Sequence, residues 1–215
     1  MGRGLYHDQK VRNLLFANTL LYPKNGIRDH AILRVLYGTT LRPIEMINIK
    51  THDLVNDEGS IKTGDGGVLR QVISFNNKTR PFPLNDPQLI DALQKWIDFR
   101  IQYQWGTNGN GSINLNTHFF LQGKDKAFQS KVTVQNGKNK YSTESINRII
   151  RKIYEINNVE GSVDSGLRTW TLEANKRCIG MPIILELRGD SDIATIKRVI
   201  SKDPVRLGAA VEKVF

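Results

Sequence analysis

Apolar positions in the first fifty residues recur at helical spacing and predict three successive helices. The first lies within residues 5–23, and its apolar face is predicted to comprise Val11, Leu14, Leu15 and Leu20. The Pro–Gly segment 23–26 ends that pattern, and a strongly apolar helix follows over residues 27–37. Arg42 and Pro43 open the third helix, since proline is tolerated in a first turn.

The pattern changes to short β-type runs between residues 57 and 84. Runs at 60–61, 71–75 and 80–82 are separated by turn residues, and 76–79 is typical of a hairpin tip. Helical spacing returns from Asp86 to about Tyr103 and again from Ser142 to Ile153, with an extra strand at 131–134 between them. The predicted fold is therefore α+β, a single, mostly helical domain over residues 1–215 with a small antiparallel sheet at about residues 58–84.

The net charge of the chain indicates its partner more clearly than its composition does. The formal net charge is +10 and the pI is near 9.8, which favours a polyanionic partner because neutralised phosphates release counterions. A generally basic surface with no nucleic-acid partner is the plain alternative.

No apolar run reaches the ~18 residues of a membrane span, and the N-terminus lacks a signal-peptide core. The lone Cys178 excludes an internal disulfide and fits the cytoplasm, and we expect a buried thiol. The sequence suggests no cofactor and no metal site.

Three motifs carry a family resemblance. Residues 28–50 contain Gly38-Thr39-Thr40-Leu41-Arg42-Pro43, residues 165–168 read Ser-Gly-Leu-Arg, and residues 187–193 read Leu-Arg-Gly-Asp-Ser-Asp-Ile. Their order and spacing resemble the catalytic domain of the tyrosine recombinases (phage integrases). The resemblance covers most of the chain and implies that family's mostly helical fold. Because the first motif starts near residue 27, it also implies that the family's N-terminal DNA-clamping domain is missing.

By that resemblance, Arg42 and Arg168 correspond to the two phosphate-binding arginines of the family. Two guanidinium groups can clamp one phosphate through paired hydrogen bonds, and they stay charged at neutral pH. A salt bridge from Arg42 to Glu45 is the structural alternative. The family lysine corresponds to Phe75 if the hairpin keeps its length, or to Lys78 if the hairpin is shorter, and both assignments stay open.

The remaining family positions have lost their chemistry. Ser165 stands where the family has its first His, Asp190 where it has His or Trp, and Val199 where it has the nucleophilic Tyr. Serine cannot shuttle protons near neutral pH, an unpaired aspartate would repel phosphate, and valine has no nucleophilic atom. A shift of alignment restores nothing, since no Tyr follows Tyr154 and no His follows His118.

We therefore expect a non-catalytic protein that binds double-stranded DNA, as an accessory or regulatory factor of a mobile element in plasmid transfer (conjugation), recombination, replication or transcription. A divergent strand-cleaving enzyme that uses Ser191, Ser201 or a distant tyrosine such as Tyr141 is one alternative. A regulatory subunit of an active recombinase is another. Homo-oligomers or partner recombinase or transfer proteins would strengthen the grip on DNA. Further DNA-binding candidates are Lys50, Arg80, Lys124, Lys126, Lys131, Lys138, Lys140, Arg148 and Lys197.

Overall fold

The computed structural model describes residues 5–64, 68–70, 73–135 and 138–201, and helices dominate this part of the chain. In chain order the elements are α1 (Gln9–Leu20), α2 (Gly26–Gly38), α3 (Pro43–Asn48), α4 (Thr51–Leu54), β1 (Val68–Leu69), β2 (Arg80–Pro81), α5 (Pro87–Gln102), β3 (Leu121–Gly123), β4 (Lys126–Ala127), β5 (Lys131–Gln135), β6 (Lys138–Ser142), α6 (Glu144–Ile156), α7 (Ser165–Lys176), α8 (Met181–Arg188) and α9 (Ile193–Ile200).

Helix α2 is the centre of the main core. Its buried residues lie all around the helix, as expected for a helix with neighbours on every side, and it packs against α1, α5, α6 and α7. Helix α7 approaches α2 closely at Gly166, where an added Cβ would lie 2.2 Å from the Leu36 carbonyl oxygen. Only glycine fits that contact, so Gly166 fixes how near α7 comes to α2.

The apolar face predicted for α1 is partly wrong. Leu15 is buried as predicted, but Leu14 and Leu20 are 45% and 48% exposed, and the buried neighbours of Leu15 are Phe16 and Thr19. The C-terminal turn of α1 lies against the start of α2, where Thr19 donates its hydroxyl hydrogen to the Leu15 carbonyl. A buried threonine whose hydroxyl bonds back into its own helix is invisible to a hydrophobic pattern.

The sheet predicted near residues 58–84 exists but is smaller than the pattern suggested. Strands β1 and β2 pair antiparallel over two residues each, and Ile61 makes only an isolated bridge to Val55. The strand predicted at 71–75 is wrong at its described end, since Ile73 to Phe75 form a turn, and residues 71–72 lie outside the described part. The amides of Ile73 and Ser74 both donate to the Arg70 carbonyl, which closes that turn.

The second half of the chain adds a smaller core and two hairpins. Helices α7, α8 and α9 pack around Leu172, Ile184 and Ile196. Strands β3 and β4 form one hairpin, and β5 and β6 form another, which confirms the extra strand predicted at 131–134. The fold thus agrees with the predicted mostly helical α+β class.

The prediction that the Cys178 thiol is buried is wrong. The residue is exposed rather than buried, because it lies just beyond α7 in a turn with φ +60° and its amide bonds to the Asn175 carbonyl. Within the described ranges, no helix is both long and apolar enough to cross a bilayer. The same ranges hold no group of His, Cys, Asp and Glu side chains arranged to bind a metal ion.

Candidate phosphate-binding site

Arg42 occupies the N-terminal boundary of α3, as the sequence predicts. Its backbone amide donates to Glu45 Oε2 at 2.8 Å, and this contact starts the helix. The guanidinium carbon lies 3.8 Å from the centre of the Phe75 ring, so the aromatic face covers one side of the cation. Burial lowers the pKa of Arg42 and the nearby Asp190 carboxylate offsets part of that effect, so the group stays charged at neutral pH.

Asp190 is the acid that pairs with Arg42. Arg42 Nη2 donates to Asp190 Oδ1 at 2.7 Å, and Arg188 Nε donates to Asp190 Oδ2 at 2.6 Å. The carboxylate thus bridges two guanidinium groups across the turn at Gly189, whose φ is +66°. On the edge of the Arg42 guanidinium formed by Nε and Nη2, only Nη2 donates a hydrogen bond. Its Nε–H is buried and meets no acceptor among the described residues.

Arg188 extends the ion pair to the helix that carries Arg168. The Arg188 guanidinium donates to the Thr171 hydroxyl of α7 in a buried hydrogen bond. Thr171 follows Arg168 by three residues, so the two lie on neighbouring positions of one helix face. Arg168 itself is partly buried on α7. Its pairing with Arg42 on a phosphate stays a prediction.

Glu45 has a different partner from the one considered for it. Arg80 donates to both of its oxygens, with Nη2 at 2.8 Å from Oε2, and Phe75 donates its backbone amide to Oε1 at 3.1 Å. The Glu45 side chain is fully buried and that of Arg80 is 4% exposed. The considered Arg42–Glu45 side-chain salt bridge is therefore wrong. Arg80 is also wrong as a DNA-binding candidate, because Glu45 holds its guanidinium inside the protein.

A cavity of about 370 Å³ lies next to the Arg42–Asp190 pair. It is lined by Phe75, Lys78, Asp190 and Asp192, among others. Lys78 is exposed at the rim, whereas Asp192 accepts from the Ala194 amide and caps α9. Asp190 is paired with Arg42 and Arg188, whereas the carboxylate of Asp192 adds a negative charge to this wall that would oppose a phosphate. The structure places both Phe75 and Lys78 at the cavity, so either assignment of the family lysine points to the same site.

Ser165 has a structural role at the start of α7. Its side chain is fully buried, and its Oγ accepts from the Leu5 amide at 3.0 Å and from the Ser162 amide at 2.9 Å. It therefore secures the N-terminal segment against α7 with both contacts to backbone. Both acceptor lone pairs of this buried hydroxyl are thus engaged by backbone amides.

Val199 lies on α9 and packs against the second core. The residue is partly buried beside the cluster formed by Leu172, Ile184, Ile196 and neighbouring residues. Its side chain contributes hydrophobic contact where the family resemblance implies a nucleophile. The packing of Val199 thus helps join α9 to α7 and α8.

The hydroxyl groups that could replace a lost nucleophile are placed as follows. Tyr37 and Tyr154 are buried and share a 2.9 Å hydrogen bond, and burial raises the pKa of both phenols, which opposes ionisation. Tyr141 lies on the β6 strand and is 57% exposed. Ser191 is exposed at the cavity, and Ser201 donates to the Arg198 carbonyl at 3.3 Å.

Most other DNA-binding candidates are on the surface. The exposed ones are Lys124, Lys126, Lys131, Arg148 and Lys197. Lys50 is partly buried with its Nζ 3.3 Å from both ring nitrogens of His118. Burial lowers the pKa of that histidine, and the charge of Lys50 lowers it further. Lys138 and Lys140 belong to strand β6, and their side chains lie outside the described part of the structure.

Two tyrosine recombinases are similar to this chain in sequence. No family model matches the chain. Tyrosine recombinase XerA of Pyrococcus furiosus is 23% identical over 208 residues, which cover 96% of this chain and 60% of that protein. Tyrosine recombinase XerC of Staphylococcus carnosus is 40% identical over 55 residues, or 26% of this chain and 19% of that protein. The chain thus spans about three fifths of XerA.

Solved structures decide the fold. A crystal structure of XerA recombinase superimposes with a TM-score of 0.66 at 17% identity, over 99% of this chain and 64% of the XerA chain. The chain has the tyrosine recombinase fold. A XerH site-specific recombinase bound to its difH substrate gives 0.63 over 98% of this chain and 53% of that chain, at 13% identity. The Tn1549 transposon integrase in complex with DNA gives 0.57 over 100% and 67%, at 13% identity. The resemblance read from the sequence motifs of this tyrosine recombinase-like chain is confirmed.

Two ion pairs of the site were not predicted from the sequence. Arg188 shares Asp190 with Arg42, and Glu45 neutralises Arg80. Arg188 stands two residues before Asp190 in the motif at 187–193, so its spacing offered a local signal. The Glu45–Arg80 pair joins residues 35 positions apart and has no such signal.

Proposed function

We propose that this chain is a non-catalytic DNA-binding protein on the tyrosine recombinase scaffold, an accessory or regulatory factor of a mobile element. The observation that carries the proposal is the Arg42–Asp190–Arg188 bridge, in which a carboxylate occupies a donor of the arginine that would otherwise hold the scissile phosphate. An acid at this position opposes the build-up of negative charge that strand cleavage requires.

DNA as the partner is supported by charge and by the relatives. The net charge of +10 favours a polyanion, and the XerH and Tn1549 structures are complexes with DNA. The exposed lysines outside the site would supply most of the affinity, because each lysine that contacts a phosphate releases condensed counterions. The same release makes the affinity depend on salt. The chain would act in the cytoplasm, with other copies or with partner recombinase or transfer proteins.

The lack of catalysis is supported by the side chains at the family's catalytic positions and by two buried tyrosines. Val199 packs in an apolar cluster, and Ser165 spends its oxygen on two backbone amides. The buried phenols of Tyr37 and Tyr154 have raised pKa values and are bonded to each other. None of these groups is prepared to attack a phosphodiester.

A binding titration on a fluorescent mixed-sequence duplex tests the DNA part of the proposal. We expect a Kd that rises steeply with salt, and an affinity loss of about tenfold for the Arg42→Ala, Arg168→Ala double variant at fixed salt. Exposed Lys10 and Lys24, replaced together by Ala, provide a control with the same charge change. No binding by the wild-type protein at low salt would reject DNA as the partner. An equal loss in both double variants would reject a special role for the two arginines.

A further inference from the structure

Another cavity, of about 380 Å³, lies between helices α1, α2 and α7 and the start of α5. Among the described residues, it shares no lining residue with the cavity beside Asp190. It is lined by three arginines, Arg12 of α1, Arg34 of α2 and Arg177 at the C-terminal boundary of α7. Its volume is within the range of small-molecule sites, about 300–1,000 Å³. Guanidinium groups brought together from distant parts of the chain point to an anion as the ligand.

Arg34 is a partly buried cation that neutral groups hold in place. Its Nε donates to His30 Nε2 at 3.2 Å, which can accept because His30 Nδ1–H donates to the Phe16 carbonyl. Its Nη1 donates to Gln88 Oε1 at 2.7 Å, and the guanidinium carbon lies 3.8 Å from the centre of the Phe16 ring. Over the described ranges, no carboxylate forms an ion pair with Arg34, and its Nη2 meets no acceptor. A cation removed from water in this way gains from an external anion.

The other two arginines also keep donors for a ligand. Arg177 is exposed, and its side chain makes no hydrogen bond or ion pair within the described part of the chain. Arg12 Nη2 donates to Gln9 Oε1 at 2.9 Å, and its Nε donates to the Asp8 carbonyl at 3.3 Å. Its Nη1 is left without an acceptor in the same part of the chain. Each of the three guanidinium groups thus has an N–H that can bond to a phosphate oxygen.

Two carboxylates line the cavity as well, and both have partners in the protein. Glu173 lies 3.5 Å from Lys176 Nζ and 3.7 Å from Arg12 Nη2, so two cations share its charge. Asp86 accepts from the Gln88 amide at 3.0 Å and caps α5. The three arginines outnumber the two acids, so the charge of the lining still favours an anionic ligand.

An aromatic ring distinguishes this cavity from a plain phosphate site. Trp170 of α7 lines it and is partly buried, and no ring among the described residues stacks on this indole. Nucleobases stack on aromatic side chains regardless of base identity. The side-chain nitrogen of Gln88 has no acceptor in the described structure and can donate to the edge of a base. A flat base beside a phosphate therefore uses the features of the cavity that a simple anion would leave unused.

We propose that this cavity binds a mononucleotide, with its phosphate held by Arg12, Arg34 and Arg177 and its base against Trp170. The inference goes beyond the proposed DNA-binding function and concerns a separate part of the molecule. Because mononucleotide binding is measured without DNA, the two proposals fail or succeed independently.

Isothermal titration calorimetry on the full chain tests the ligand class. AMP, GMP, CMP and UMP are titrated in turn, and inorganic phosphate and the four nucleosides serve as partial ligands. We expect at least one nucleotide to bind about tenfold more tightly than either its nucleoside or phosphate, because only the nucleotide engages both the arginines and the indole.

Two variants separate the two parts of the ligand. Arg177→Ala should weaken both the nucleotide and inorganic phosphate, the nucleotide by about tenfold. Arg198→Ala is the matched control, since this exposed arginine of α9 lies outside the cavity. Trp170→Leu keeps an apolar side chain against the second core and should weaken the nucleotide by about tenfold, with the phosphate affinity unchanged. Thermal unfolding checks that each variant is folded, and Arg177→Ala decides alone if Trp170→Leu is not.

Three results would overturn the proposal. Folded wild-type protein that binds none of the four nucleotides would reject the site. Equal losses of nucleotide affinity in Arg177→Ala and Arg198→Ala would assign binding to the general basic charge of the surface. A nucleotide that binds no more tightly than inorganic phosphate would reduce the cavity to an anion site without a place for a base. All three results would leave the DNA-binding proposal standing.

Discussion

Asp190→Asn isolates the negative charge that opposes phosphate at Arg42. Asparagine keeps the size of the side chain and removes its charge. Arg42 Nη2 would lose an ionic acceptor 2.7 Å away, and its Nε–H has no acceptor among the described residues. The Asn oxygen can still accept from Nη2, but this hydrogen bond would no longer be ionic, so a phosphate would compete for that donor more easily. We expect the variant to bind DNA more tightly than the wild-type protein.

The size of the gain follows from Coulomb's law. A unit charge about 4 Å from a phosphate contributes roughly 4 kcal/mol at an effective dielectric of 20. The Arg42 side chain is 29% exposed, so solvent and salt screen much of this. We expect about 1–2 kcal/mol, or roughly a 5- to 30-fold lower Kd. Stability should move the opposite way by about 1–3 kcal/mol, because Arg188, 5% exposed, keeps no charged partner in the described structure.

Both effects are measured on one protein preparation. Fluorescence anisotropy with a mixed-sequence duplex at fixed salt gives the Kd, and urea unfolding gives the free energy of unfolding. Asp192→Asn is the matched control, because this carboxylate lines the same cavity and Asn can still cap α9. We expect a smaller effect there and no loss of stability. A Kd for Asp190→Asn that equals or exceeds the wild-type value would refute the opposing role of Asp190.

Two further predictions concern the scaffold. Gly166→Ala should reduce the free energy of unfolding by at least about 2 kcal/mol, since its Cβ would lie 2.2 Å from the Leu36 carbonyl oxygen. Gly180→Ala is the control and should cost little, because the nearest neighbour of its Cβ would be at 3.8 Å. Equal losses of stability in urea unfolding would refute this prediction. Burial lowers the pKa of His7, so the unfolded chain binds protons more readily and stability should be retained above about pH 6.5 and decline below it. His7→Gln should flatten that decline, and an unchanged slope would contradict the assignment.

Local patterns predicted the parts of the fold that depend on neighbouring residues. Helix α2 was evident because its apolar residues are consecutive in sequence, and the position of Arg42 followed from the proline that starts α3. The turn at Ile73–Phe75 was missed because Glu45, 30 residues away, takes the Phe75 amide. A strand-like composition therefore did not become a strand.

The candidate site was predictable in identity but not in its pairing. The motifs located Arg42 and Asp190, yet their ion pair spans 148 residues and no local rule predicts it. Arg80 was a DNA-binding candidate only because it is basic. Its burial against Glu45 depends on how β2 meets α3, which only the folded chain reveals.

The central claim, DNA binding without strand cleavage, is tested most directly with one nicked suicide duplex carrying the preferred site of the protein. After incubation, half of the sample is run on a native gel and half on a denaturing gel with SDS. We expect a retarded band on the native gel and no protein-linked DNA on the denaturing gel. A covalent adduct that survives SDS would contradict the claim of inactivity, and the absence of any retarded band would contradict the claim of binding.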